Sequence, residues 1–507
     1  MGDNGSIFEA NGFENVIEYL CDEIRELYLE DAVPWVIGYS GGKDSTAIVQ
    51  LVWTAIHGLE PKLRTKPVHI ISTDTLVENP VVAGWVNLSL NRLREAAQEQ
   101  QLPIQAHALT PAVSDTFWVN LIGHGYPAPR NKFRWCTERM KINPSNNFIQ
   151  QTVRDNGEAI LVLGTRKAES ARRHATMLKH EERRVRDRLS PNSRLTNCMV
   201  YTPIEAWSND DVWRYLMQVE NPWGHSNKNL MGMYRGASAD GECPLVVDET
   251  TASCGNSRFG CWVCTLVDQD KSMTAMIQND AEKEWMEPLL DFRNELDFRG
   301  EADRKRDLGR RDFRRKSGKL TFNHSKIDGD RLIRGPYTQE ARAYWLRRLL
   351  EIEKIVNELA PEEVGPITLI QPNELDEIRR IWISEKHEIE DLLPEIYEEV
   401  TGRAFEGQPI SDGYVLDRAS LDLLKEASGS EMNYQMARNL LDVSFRYRTQ
   451  VKRMKLFGEI ESIIESCFYD SEQDALHRAK KMHEAKNITL EPPTDGVSIT
   501  IDNMPVD

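Results

Sequence analysis

Residues 40–46, Ser-Gly-Gly-Lys-Asp-Ser-Thr, follow the apolar run PWVIGY and precede the apolar-periodic AIVQLVWTAIHGL. Two adjacent glycines, Gly41 and Gly42, let the backbone turn tightly, so successive N–H groups can face one anion. The positive end of the following helix points the same way. Ser40, Ser45 and Thr46 add hydroxyls, Lys43 a cation and Asp44 a carboxylate. The spacing departs from G-x-x-x-x-G-K-S/T, because the lysine follows two adjacent glycines with no long loop. An ordinary glycine turn is the bland alternative for so short a motif. Two more polar clusters fall at strand ends. Residues 72–80, STDTLVENP, bring Asp74 and Glu78, which suit a ribose, the adenine-side backbone or a metal ion, or simply an acidic helix start. Residues 164–173, GTRKAESARR, bring Arg166, Lys167, Arg172 and Arg173. These suit an anionic substrate or a developing charge, or form a solvated basic helix face.

Five of the eight cysteines share a second chemistry. Cys136 lies among arginines in FRWCTERMKINP, and Cys243, Cys254, Cys261 and Cys264 lie in GECPLVVDETTASCGNSRFGCWVC. The last three are spaced C-x6-C-x2-C. Thiolates two residues apart can bind one metal centre, since a tight turn points both sulfurs inward. With Cys136 brought in from the sheet, four ligands are at hand, and zinc and an iron–sulfur cluster both fit the spacing. Cys21, Cys198 and Cys467 sit in apolar or helical contexts and read as inert core residues.

Apolar strands alternating with helices position these clusters. PWVIGYS, KPVHIISTDT, PIQAHALTP and AILVLGTR read as strands, and STAIVQLVWTAIHGL, PVVAGWVNLSLNRLREAAQEQ and KINPSNNFIQQTVRDNG as helices. This predicts an α/β fold, a parallel sheet with helices on both faces, with ligands at the carboxyl ends of the strands. Ser208 before Asp210 and Asp211 predicts a capped helix start. The expected organisation is an N-terminal helix (1–30), the α/β domain with its cysteine segment (31–270), a charged connection (271–336), a helical C-terminal domain (337–490) and a tail (491–507). With 63 Lys plus Arg against 80 Asp plus Glu, the net charge of −17 argues against a protein that coats duplex DNA by itself. Any nucleic-acid contact is then local or shared with a partner. The basic stretch 299–319, RGEADRKRDLGRRDFRRKSGK, is the place for contact with DNA phosphate or an acidic partner surface, or is a linker with locally paired charges. The sequence has no long apolar run and no apparent secretion signal, so the expectation is a cytoplasmic protein with no membrane association.

The loop SGGKDS resembles the PP-loop of ATP pyrophosphatases. A D-T turn at the second strand, G-x-R-x-x-E-S-x-x-R at 164–173 and P-I-x-x-W-S-x-x-D-V-W at 203–213 extend that resemblance, in order, to the PAPS reductase branch. The resemblance implies that residues 40–46, Asp74 and Arg172 bind ATP with Mg²⁺. It further implies that Ser40, Lys43, Asp44 and Arg166 serve cleavage at the α-phosphate, with pyrophosphate leaving. YSGGKDST, FRWCTERMKINP, YRGASADGECPLV and SCGNSRFGCWVC together are similar to the DndC-type sulfurtransferases of bacterial DNA phosphorothioation. That likeness implies a 4Fe–4S cluster on Cys136, Cys254, Cys261 and Cys264, with Cys243 as a fifth candidate. It also implies DNA as acceptor, a cysteine desulfurase as sulfur donor and sibling Dnd proteins as partners. The rival readings are a PAPS or APS reductase-like enzyme, a tRNA-thiolating enzyme, and an ATP-sensing adaptor without turnover.

Overall fold

The structure, a computed structural model, describes residues 6–131, 133–184, 186, 188–238, 259–325, 329–408, 416, 418–448, 450, 453–469, 471–478 and 481, without the side chains of 172, 323–331 and 418. Helices α1 (Ile7–Asn11) and α2 (Phe13–Glu30) lead into strand β1 (Trp35–Gly38). There follow α3 (Lys43–His57), β2 (Val68–Thr73), α4 (Pro80–Glu99), β3 (Ile104–Leu109), α5 (Asn143–Asn156) and β4 (Ala159–Val162). Then come α6 (Ala171–Glu181), β5 (Ser190–Pro191), β6 (Cys198–Tyr201), α7 (Asn209–Gln218) and α8 (Asn227–Gly236).

The strand order is β3-β2-β1-β4-β6-β5, parallel except for β5, which pairs antiparallel with β6. Alternation along the strands assigns the faces. Trp35 and Ile37 join the large apolar cluster of α2, α3, α4 and α7, while Val36 joins Ile71, Ala159 and Ile149 of α5 on the other face. The expected parallel sheet covered on both sides is therefore what forms. β5 is a short addition whose Pro191 is tolerated because it stands at the sheet edge. The chain moves from β1 outward to β2 and β3, then returns to place β4 on the other flank of β1. Ligands of open α/β sheets bind where strand order reverses in this way. The turn after β1 and residues 164–166 after β4 thus meet at one crevice. The Ser208 cap forms as expected: its Oγ accepts from the Asp211 N–H, and the Ser208 N–H donates to the Asp211 carboxylate.

His69 of β2 and His107 of β3 face each other across the sheet, Nδ1 to Nε2 at 3.1 Å, against Phe148. Burial lowers both pKa values below the ordinary 6.5, and each positive neighbour, His69 and Arg94, lowers His107 further. In this window the unfolded chain binds more protons than the folded one, so stability falls as pH drops below about 6.5. The urea midpoint is expected to decline between pH 7.5 and 5.5, and less steeply in His107→Gln. An equal decline in that variant would remove the pair as the cause.

Beyond residue 270 the chain is mostly helical: α9 (Lys271–Asn279), α10 (Glu287–Leu296), α11 (Glu301–Gly309), α12 (Gln339–Leu359), α13 (Pro372–Ser384), α14 (Leu392–Thr401), α15 (Arg418–Ser428), α16 (Glu431–Tyr447) and α17 (Leu456–Ser466). A β7–β8 hairpin (Phe322–Ser325, Gly329–Leu332) interrupts it. The chain forms two compact units. One comprises Met1–Arg304, Arg342–Ile378 and Ile396–Phe405, and the other comprises Lys305–Ala341, Arg379–Glu395 and Glu406–Asp507. The second unit packs Val443, Tyr447 and Ile463 between α16 and α17. Within it, two arginines of the basic stretch expected to meet phosphate are committed internally. Arg314 is buried and bonds both Asp312 oxygens, the Ser466 carbonyl and Gln435. Arg311 donates to the Gly335 and Arg334 carbonyls. These guanidiniums hold turns together, because a buried cation must be saturated with acceptors. No helix among the described residues is long and apolar enough to cross a membrane.

Candidate nucleotide and thiol site

The turn after β1 is built from its own side chains. Gly41 adopts φ +71°, and a Cβ there would stand 2.5 Å from Val86, so a side chain is excluded twice over. The Gly41 carbonyl accepts from the Trp85 indole. Ser45 and Thr46 hydroxyls donate to the Gly42 carbonyl at 3.0 and 2.9 Å, and the Ser40 N–H donates to Ser45 Oγ. Ser45 and Thr46 therefore brace the turn, while Ser40 is exposed at its mouth. Gly164, after β4, lets the Asp44 carbonyl approach to where a Cβ would lie only 2.9 Å away.

That close approach brings three charges together. Arg166, only 3% exposed, places Nε 2.7 Å from Asp44 Oδ1 and donates a second bond to the Trp207 carbonyl. Lys43 Nζ lies 3.1 Å from Asp44 Oδ2. Both oxygens of Asp44 are thus engaged, and two cations are fixed beside the turn. Of the basic cluster at 164–173, only Arg166 is shown to do this. Lys167 pairs with Glu181 and Glu205, and Arg173 with Glu169. Arg172 lies in α6, and its side chain is outside the described residues.

A cavity of about 450 Å³ opens from the turn and is lined by Ser40, Thr73, Asp74, Glu78, Lys141 and Phe259. Asp74 Oδ1 accepts from the Leu76 N–H, and burial raises its pKa, with Glu78 adding to the rise. Lys141 comes from a π-helical turn, Thr137–Ile142, that runs into α5. It pairs with Glu78 at 3.3 Å. Burial opposes its charge, but Cys261, Glu78 and Cys264 outweigh burial and hold the ammonium above its ordinary range.

The thiols adjoin this wall. Cys261 pairs with Glu78 in a short antiparallel bridge, and its Sγ lies 3.3 Å from Thr75 Oγ1. The Cys264 N–H donates to the Cys261 carbonyl, the tight turn that C-x2-C spacing allows. Burial pushes the Cys261 thiol to about 12 and raises Cys136 as well, with Cys264 adding to both. Cys261 and Cys264 thus share one tight turn, and the Cys264 sulfur acts electrostatically on both Cys261 and Cys136. Among the described residues, however, no group of three or more His, Cys, Asp and Glu side chains is arranged to hold a metal ion. Cys243 and Cys254 lie outside the described residues. Cys21, Cys198 and Cys467 are buried free thiols, as their contexts implied.

Sequence reasoning did not single out Lys141, Tyr234 or the Trp207 carbonyl. Lys141 follows Cys136 by five residues, a spacing that a π-helical turn uses and a search at α-helical period passes over. Tyr234 reaches Lys43 across 191 positions, with no local signal.

Residues 34–266 match the phosphoadenosine phosphosulfate reductase domain, so this part of the chain is similar to a PAPS reductase-like PP-loop domain. An uncharacterized protein of Methanocaldococcus jannaschii is 26% identical over 200 residues, 39% of this chain, and the chain spans only 35% of that relative's length. The phosphate complex of a PAPS reductase from Candida auris is similar at 15% identity and TM-score 0.26, over 42% of this chain and 89% of that one. The U34-tRNA thiolase NcsA of Methanococcus maripaludis, with its 4Fe–4S cluster, is similar at 14% and 0.27, over 41% and 65%. The FMN adenylyltransferase of Candida glabrata, with FAD and pyrophosphate, is similar at 11% and 0.26, over 50% and 71%.

Proposed function

We propose that this chain is the ATP-using sulfurtransferase of DNA phosphorothioate modification. One observation carries the reading: the cavity lined by Ser40 is also lined by Glu78 and Lys141, and the Cys261 Sγ lies 3.9 Å from Glu78 Oε1, so a thiol adjoins the wall of the nucleotide cavity. A non-bridging oxygen of a DNA phosphate attacks the α-phosphorus of ATP. The bond between the α-phosphorus and its bridging oxygen breaks, and pyrophosphate leaves. A sulfur nucleophile then attacks the DNA phosphorus, and AMP departs with the original oxygen. The N–H groups of the turn and Lys43 receive the pyrophosphate charge, Arg166 supplies fixed positive charge behind Asp44, and Mg²⁺, when bound with ATP, would relieve charge on the leaving pyrophosphate. Cys136, Cys261 and Cys264, with Cys254 as fourth ligand, would hold a 4Fe–4S cluster, which when bound supplies electrons or sulfur. The reading places the protein in the cytoplasm with DNA, a cysteine desulfurase and sibling Dnd proteins.

The domain match suits equally a reductase of adenylylated sulfate, whose substrate arrives already adenylylated so that no ATP is split, or a tRNA thiolase, which would share the ATP-dependent first half of this chemistry. Two measurements decide. ATP is expected to yield AMP and pyrophosphate, and Ser40→Ala is expected to lower that rate at least tenfold with the fold intact. ADP and phosphate as products would contradict the reading. Mass spectrometry of genomic DNA from cells carrying the full set of proteins is expected to show phosphorothioate dinucleotides, lost with Ser40→Ala. Thiolated tRNA or sulfite in their place would select a rival.

A further inference from the structure

Tyr234 of α8 stands over the anion-binding turn. Its hydroxyl accepts from the Lys43 N–H at 3.4 Å, in the first turn of α3, where a bound anion would take that donor. A Cβ on Gly42 would lie 3.1 Å from the same hydroxyl, so the turn leaves just enough room for it. The Lys43 ammonium lies 5.7 Å from the ring centroid, and the ring is buried. On its other side the ring meets Phe259 edge-on, with centroids 4.7 Å apart. Phe259 lines the nucleotide cavity and is followed by Gly260, whose carbonyl accepts from Asn79, and by Cys261 and Trp262, whose N–H donates to Val77.

We infer that Tyr234 is a positioning residue that couples occupancy of the turn to the thiol side of the chamber. An anion that takes the Lys43 N–H must displace the Tyr234 hydroxyl, so the two compete for one donor. The displaced ring gives up its edge contact with Phe259, which loosens the strand-like pairing of 260–262 with 77–79. The cation and the two glycines alone do not produce this effect, since it needs a hydroxyl that competes and a ring that transmits. The inference rests on the reading of the turn as a pyrophosphate site.

Tyr234→Phe tests it, because it keeps the ring and removes the competitor. By calorimetric titration of the full chain with inorganic pyrophosphate, the variant is expected to bind about fivefold tighter, the value of one neutral hydrogen bond no longer broken on binding. Amide hydrogen exchange gives the second arm. In the wild-type chain, pyrophosphate is expected to speed exchange at residues 260–262 severalfold, and in Tyr234→Phe it is expected to leave exchange there unchanged. A purely structural role for the hydroxyl would shift the thermal midpoint but move neither quantity. Equal or weaker pyrophosphate binding by the variant, or the same exchange response in both proteins, overturns the inference and leaves the nucleotide site standing. If neither protein binds pyrophosphate and the wild type releases none from ATP, the nucleotide reading fails and takes the inference with it.

Discussion

Asp44→Ala is expected to reduce pyrophosphate release from ATP by at least a hundredfold and to destabilise the chain by about 2–3 kcal/mol. The two losses have different origins. Asp44 sits between Arg166 at 2.7 Å and Lys43 at 3.1 Å, so its carboxylate fixes both cations relative to the turn. Without it the Lys43 ammonium is free to swing away from where pyrophosphate charge develops, and preorganised charge is worth more than charge that must be recruited. The stability loss comes from Arg166, which is almost wholly buried and would keep only the Trp207 carbonyl among its named partners. Removing one partner of a buried pair leaves an uncompensated charge, and the cost is set below the fully buried range because Asp44 itself is about a quarter exposed. Arg166→Met is expected to lose as much activity but less stability, since Asp44 retains Lys43 and some water. The double variant is expected to be more stable than Asp44→Ala alone, because it buries no unpaired guanidinium, yet no more active. Urea unfolding and pyrophosphate release measured on the three variants check each statement. Wild-type turnover in Asp44→Ala would show that the turn is not the catalytic site.

The sheet could be read in the sequence because strands buried on both faces are continuous apolar runs, and the glycine turn because few residues tolerate φ +71°. Arg166 could be placed near the turn from its position at a strand end. Its distinction from Lys167 and Arg173 was only half legible. The i,i+4 partner of Arg173, Glu169, is visible in the sequence, but Lys167 finds Glu205 only once β6 is beside β4. The basic stretch was half legible in the same way, since Asp307 beside Arg311 and Asp312 beside Arg314 are visible in the sequence. The carbonyls of Gly335 and Ser466, which reach Arg311 and Arg314, come to them only in the tertiary structure. The carboxylates that neutralise these two arginines are local, whereas the carbonyls that complete their hydrogen bonding come from farther along the chain.

The thiols give the other large effect. Purified without oxygen, the wild-type chain is expected to be brown, with iron and acid-labile sulfide, and single serine replacements at Cys136, Cys261 or Cys264 are expected to remove nearly all of both. The motive is the sequence spacing of these cysteines and the tight turn that joins Cys261 to Cys264; the described side chains are not themselves arranged to hold a metal ion, so a bound cluster must draw them together. Cys136 precedes the π-helical turn, while Cys261 and Cys264 lie on the turn that pairs with Glu78. As free thiols, Cys136 and Cys261 are kept protonated by burial. A metal centre must therefore displace their protons, and cluster retention is expected to weaken as pH falls. A serine hydroxyl at any of these positions is a far poorer ligand for iron than a thiolate, so one replacement suffices. Cys21→Ser, Cys198→Ser and Cys467→Ser are expected to keep the colour, because all three thiols are buried, Cys21 and Cys198 in apolar clusters and Cys467 beside Ser466. The fourth ligand is found by comparing Cys254→Ser with Cys243→Ser, of which the first is expected to bleach the protein and the second to leave it brown. A colourless wild-type chain holding one equivalent of zinc would replace the cluster by a structural metal on the same sulfurs. It would also confine sulfur delivery to an external persulfide, leaving the nucleotide half of the chamber as the chain's own contribution to the reaction.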